Sequence, residues 1–229
     1  MLSKINSMAL HGLDGYLIDV QVDVSNGMPC WELVGLPDTS VKEAKERVKT
    51  AIKNSGYELL SKRIIINLAP ADTKKEGSVF DLPIAIGILV DLGEIKNDKL
   101  IEFAFIGELS LDGKINRVNG ILPMCIEAKK LGIKTIIVPK ENSEEAAIVK
   151  DIEVLGAQNL KEVVEYLNGS KKISKTVLDL KEFFSNQSNY KLDFSEVKGQ
   201  ENIKRALEIA AAGRTQLLTY RKPRFTEKQ

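Results

Sequence analysis

The side chains of this chain that could do chemistry are few. Lys62, Arg63, Lys74 and Lys75 bracket the apolar run 64–69. Cations flanking a strand suit a phosphate backbone, so the four make a candidate DNA-contact patch. Lys74 and Lys75 also stand beside Asp72 and Glu76, and the competing expectation is a solvated mixed-charge loop. Two acids without further ligands are a poor cation site. Asp81 as a helix cap, or a salt bridge within the loop, is the better use of such carboxylates. The single histidine, His11, stands before Gly12 at a strand end, with no identifiable Ser or Cys partner, and reads as a structural or surface residue. Cys30 and Cys125 are too few for a disulfide framework, and with one histidine they are too few for a zinc site. Both sit among apolar neighbours and are expected in the core, as is Trp31.

The elements that must position these residues follow from periodicity. Residues 16–25 alternate as a half-buried strand does, and 31–34 form a second strand. In 35–40 the strand breaks, offering Asp38, Thr39 or Ser40 as an N-cap, and the apolar face Val41, Ala44, Val48, Ala51, Ile52 predicts a helix ending at Gly56. The continuous apolar run 63–70 predicts a buried strand, and 81–93 a helix with Pro83 in its first turn. Residues 103–115 read as a hairpin turning at Asp112-Gly113, with Phe103 and Phe105 facing the core. A helix over 121–131, strands at 135–139 and 152–156, and a helix over 159–168 complete an α+β (mixed α/β) domain over 1–168. A polar linker, 169–191, holds one short helix around 177–184, and an Ala-rich helix over 198–212 belongs to a further domain.

Across 229 residues, 43% apolar and 28% charged side chains fit one or two globular domains. The net charge of +1 is unevenly placed: residues from Gly213 on carry five basic side chains and one acid, which leaves −3 for residues 1–212. The body therefore has no bulk pull toward nucleic acid. No run of 18 apolar residues and no secretory signal are present, so the cytoplasm is the expected compartment, with no membrane partner.

Two segments, PADTKKEGSVFDLPIAIGIL (70–89) and GELSLDGKINRVNGILPMCIEAKKLGIKTIIVPKEN (107–142), resemble the proteolytic domain of Lon-type proteases. That resemblance implies a Lon-protease-C-terminal-like, ribosomal-protein-domain-2-like fold. It places the family's nucleophilic Ser at Val79 and its activating Lys at Leu122. Neither side chain can attack or transfer a proton, and Ser78 is not at the matching position. Four motifs in order, VGLPDTSVKEAKERV (34–48), INLAPADTKKEGSVFDLPIAIGIL (66–89), GELSLDGKINRVNGILP (107–123) and VKGQENIKRALEIAAAG (197–213), resemble the magnesium-chelatase-like AAA+ ATPases, the family of the competence protein ComM and its YifB relatives. The family implies a Lon-like N-terminal domain followed by an ATPase motor starting at 192–213. Full-length relatives use ATP and magnesium, form hexamers, and are implicated in DNA branch migration with recombination partners. In such motors the segment matching Val197, Gly199 and Gln200 lies beside the adenine.

The phosphate-binding loop expected after Gly213 is replaced by a basic tail, 214–229. Read one base further on, permitted codons for 213–225 spell GAHNFLLIGSPGS, a strand and the start of such a loop. The expectation is a truncated, frameshifted product that needs no cofactor of its own and acts as a non-catalytic module. The alternative is an enzyme, either a nucleotide hydrolase or a Lon-like serine peptidase.

Overall fold

The computed structural model describes residues 2–59, 62–96, 99–178 and 197–213. They belong to two units, 1–179 and 180–229.

Period-two alternation organises the first unit. In β1 (Ser3–His11) the side chains of Ile5, Ser7 and Ala9 are buried, and in β2 (Asp14–Ser25) those of Ile18, Val20, Val22 and Val24. The two strands pair antiparallel from Ser3 opposite Val22 to His11 opposite Asp14, which puts both apolar sets on one face. β3 (Cys30–Val34) runs parallel to β4 (Arg63–Ala69), and β4 lies antiparallel to β2. Beyond β1 lie β5 (Phe103–Phe105), β8 (Thr135–Pro139) and β9 (Glu153–Ala157), all parallel to it. The sheet order is β3-β4-β2-β1-β5-β8-β9, and β2 alone runs against the rest. β8 is buried at every residue, as a parallel strand covered on both faces should be.

One face packs against α2 (Ala44–Asn54), α3 (Asp81–Asp91) and α6 (Leu160–Leu167), through Val48, Ile52, Ile84, Ile88 and Val164. The opposite face of β1 and β8 packs Met8, Ile136 and Val138 against Ile121, Met124 and Cys125 of α4 (Ile121–Lys130). α3 is buried from Asp81 to Leu89 and so forms the centre of the fold. Among the described residues no helix is long and apolar enough to cross a membrane.

Several sequence expectations are refined. The 39–54 helix is two helices, α1 (Thr39–Lys42), capped by the Asp38 carboxylate on the Val41 N–H at 2.8 Å, and α2. The 103–115 hairpin is shorter than expected, because β5 joins the large sheet. Only β6 (Glu108–Leu109) and β7 (Ile115–Asn116) pair, around a turn at Gly113. Cys125 is buried, and burial pushes its thiol up to about 12. Cys30 is only half-buried because β3 is an edge strand. Phe103 and Phe105 share a face, with rings stacked at 6.0 Å. Folded chain continues past 168: Ile173 packs on the core, and the Thr176 N–H donates to the Val154 carbonyl at 2.9 Å. The short helix expected around 177–184 falls outside the described residues from 179 on.

In the second unit, Gly199 and Gln200 both take positive φ, +70° and +63°. The Gln200 carbonyl then accepts the Ile203 and Lys204 N–H groups, opening α7 (Glu201–Gly213). No side chain of α7 is buried among the described residues, and Ile203 and Ile209 are exposed.

Candidate functional site

Two sequence motifs meet at one end of the sheet. Leaving β3, the chain passes Gly35 (φ +101°) and Leu36 (φ +56°) and reaches the loop 70–80. There the Lys75 N–H donates to the Leu36 carbonyl at 3.1 Å, and the Asp38 N–H donates to the Lys75 carbonyl at 3.0 Å. The Lys75 side chain turns inward and is fully buried, its ammonium donating to the carbonyls of Pro70 and Thr73. Burial pulls the Lys75 pKa below the ordinary lysine value. A buried ammonium stays only where carbonyls replace its water. Lys75→Ala is therefore expected to strand those carbonyls and cost about 2 kcal/mol in urea denaturation.

Below this loop lies Asp81, the first residue of α3, its side chain 1% exposed. The Arg47 guanidinium grips it as a fork, Nε to Oδ2 at 2.7 Å and Nη2 to Oδ1 at 3.0 Å. Nη2 also reaches the Ser40 carbonyl at 3.1 Å, and the Leu109 N–H donates to Asp81 at 3.2 Å. Burial pushes the Asp81 carboxyl up to about 6, with Arg47 and the Leu109 amide pulling it down. Beside it, the Ser78 hydroxyl donates to Glu108 Oε2. Asn116 Nδ2 bridges Glu108 Oε1 at 3.2 Å and Ser110 Oγ at 2.8 Å. Asp81 thus serves as an ion-pair anchor for α2, the α3 start and the β6–β7 hairpin.

The resemblance to Lon-type proteases assigns the nucleophile to Val79, next in the chain to Ser78 of this cluster. Val79 packs into both apolar cores, and its carbonyl accepts the Gly107 N–H at 3.0 Å. Leu122 is half-buried, its N–H donating to Glu145 Oε1 at 3.3 Å. Both positions hold hydrocarbon. A hydroxyl on a carboxylate, as at Ser78–Glu108, is half of a nucleophile–base relay, and the third, orienting group here is an amide. His11 is exposed at the end of β1.

The four basic residues proposed for DNA do not form one patch. Lys62 and Arg63 enter β4 while Lys74 and Lys75 follow its exit, and seven residues of strand span ~23 Å. Lys75 faces inward, and Lys74 pairs with Glu76 at 2.8 Å. That leaves Lys62 and Arg63 as the two without an acidic partner among the described residues. Val197, Gly199 and Gln200 form an exposed turn at the start of α7. Among the described residues no cluster of three His, Cys, Asp or Glu could hold a metal ion.

Comparison with known proteins agrees with this architecture. Residues 20–142 match the family described as "Subunit ChlI of Mg-chelatase", and residues 193–224 match "Magnesium chelatase, subunit ChlI". The chain is 42% identical to the competence protein ComM of Haemophilus influenzae over 95% of its own length and 43% of that protein's. It is also 42% identical to the YifB protein of Escherichia coli, over 95% of the chain and 42% of the relative. Lon protease 2 of Bacillus subtilis is 27% identical over 70% of the chain and 32% of the protease, consistent with the mixed α/β fold. The chain thus spans less than half the length of the ComM and YifB proteins. With a ChlI match across more than half its residues and 42% identity to ComM and YifB proteins over 95% of its length, the chain belongs to the magnesium-chelatase-like family of the ComM and YifB proteins.

Proposed function

We propose that this chain is the non-catalytic N-terminal module of a ComM-type AAA+ ATPase that processes DNA in recombination or natural transformation. The observation that carries the reading is the state of the Lon-like centre. The positions that the Lon resemblance assigns to attack and proton transfer are Val79 and Leu122, and Asp81 is held by Arg47. The similarity to a competence protein supports the DNA context. ATP and magnesium belong to the full-length relatives. The turn at Val197, Gly199 and Gln200 would frame the adenine there, while most affinity for a triphosphate comes from a phosphate loop. DNA, recombination proteins and hexameric copies of the chain are the partners this role implies, in the cytoplasm.

The purified chain is expected to turn over neither ATP nor an unfolded protein such as casein above buffer. Steady ATP hydrolysis lost on changing Gly199, or proteolysis lost in Ser78→Ala, would replace this reading with an enzyme.

A further inference from the structure

Lys45, Lys49 and Lys53 recur every fourth residue along α2, so they form a row ~12 Å long on one stripe of the helix. The row is one wall of a cleft of about 750 Å³. The other wall comes from β3 and the entry to β4, with Trp31, Tyr57 and Lys62. Glu58 is the one acid among the lining residues. The acids of α2 and its N-cap, Glu46 and Glu43, lie off the cleft, and Glu43 pairs with Arg47 at 3.9 Å.

Lysines without an acidic partner occur elsewhere among the described residues, Lys4 and Lys150 for example, but these four line one cleft. Lys74, Lys114, Lys129, Lys130, Lys134 and Lys171 are each within 4 Å of a carboxylate. Lys45, Lys49, Lys53 and Lys62 have no acidic partner among the described residues. Lys49 instead holds its ammonium 5.3 Å from the centre of the Trp31 ring. Trp31 and Tyr57 are half-buried, packed on the core and lining the cleft. Four unpaired cations in a concave site raise the local positive potential and select an anion. A row that long fits repeated phosphates better than a single one.

We propose that this cleft binds a single-stranded nucleic acid segment, with successive phosphates along Lys45, Lys49 and Lys53 and a base against Trp31 and Tyr57. A cation over an exposed ring contributes ~0.5–1 kcal/mol, whereas a base stacked on an aromatic side chain contributes ~1–3 kcal/mol. The base therefore displaces Lys49 from the ring, and the released ammonium takes up a phosphate. A duplex keeps its bases stacked inside and cannot make that exchange. The inference rests on the module reading and deepens it, giving the nucleic acid a single-stranded form and a place, and it is argued from the cleft's own charges and rings.

Trp31 is the only tryptophan of the chain, so its fluorescence reports this cleft directly. The full 229-residue chain is titrated with a 20-nucleotide oligo(dT). Quenching is expected, with log affinity falling against log salt at a slope of about −2.8 for four phosphates on a single strand. Lys49→Glu with Lys53→Glu should weaken binding at least ~10-fold, and Lys62→Glu, on a different element, should act in the same direction. Lys49→Arg should keep the quench. So should Ala at Arg221, Lys222 and Arg224, which lowers the net charge of the basic tail from +4 to +1. Unchanged thermal melting of each variant checks folding. Absence of quenching, or quenching indifferent to both sets of Lys→Glu changes, overturns the proposal. Equal quenching by a 20-base-pair duplex overturns the single-strand assignment, and equal quenching by poly-glutamate reassigns the cleft to an acidic protein segment. None of these results bears on ATP or casein turnover, so failure here is distinct from failure of the module reading.

Discussion

Arg47→Ala should cost about 3 kcal/mol of stability at pH 7.5, because it leaves a buried carboxylate without its counter-charge. The lower end of the range for a broken buried pair is appropriate, since the Arg47 side chain keeps 22% of its surface in solvent while Asp81 keeps 1%. The cost should depend on pH in a definite direction. The Asp81 carboxyl titrates at about 6 in the folded protein against 3.8 for the free side chain. With a raised folded pKa, its stabilising share is complete below about pH 4 and is lost as pH rises through 6. Arg47 is the main influence holding that value down, so removing it moves the folded pKa higher still and enlarges the loss at neutral pH. Urea denaturation of Arg47→Ala should therefore show less than about half the penalty at pH 5 that it shows at pH 7.5. Adding Asp81→Asn to Arg47→Met should recover most of the stability, because no charge is then left buried. A penalty equal at both pH values, or no recovery in the double variant, would show that Asp81 is not the group that Arg47 neutralises.

Gly35→Ala should be the comparably damaging change on the other side of the same junction, again about 3 kcal/mol or more. Gly35 sits at φ +101°, and a Cβ there would collide with the Leu68 carbonyl and approach the Leu68 nitrogen to 2.9 Å. The colliding atoms are backbone of β4, at the centre of one half of the sheet, and cannot rotate away. Gly77 is the control. Its φ is +83° but nothing lies within 4 Å of an added Cβ. Gly77→Ala should cost only the ~1–2 kcal/mol of a left-handed residue. The difference between the two melting shifts measures the close approach of β3's exit to β4. Equal shifts would mean that backbone conformation alone accounts for Gly35.

Much of this protein is written locally. Alternation placed β2, the continuous apolar run placed β4, and three-to-four spacing placed the helical stretch that became α1 and α2, because one-sided burial leaves its period in the chain. The motifs also suffice to show family membership, and hydrocarbon at Val79 and Leu122 is plain without coordinates. What the tertiary structure decided is which side chains face each other. Lys75 reads as one more basic loop residue, and only the turn at Gly35–Leu36 closing over it makes it a buried strut. Asp81 reads as a helix cap, yet Arg47, 34 residues earlier, takes it as an ion-pair partner. Lys62 and Lys74 look like one patch in the chain and lie at opposite ends of a strand. Lys62 and Lys49 look unrelated, yet they line one cleft. Periodicity reports how each element meets water, whereas partners across the fold are set by how elements dock, and that information is spread over residues far apart in the chain.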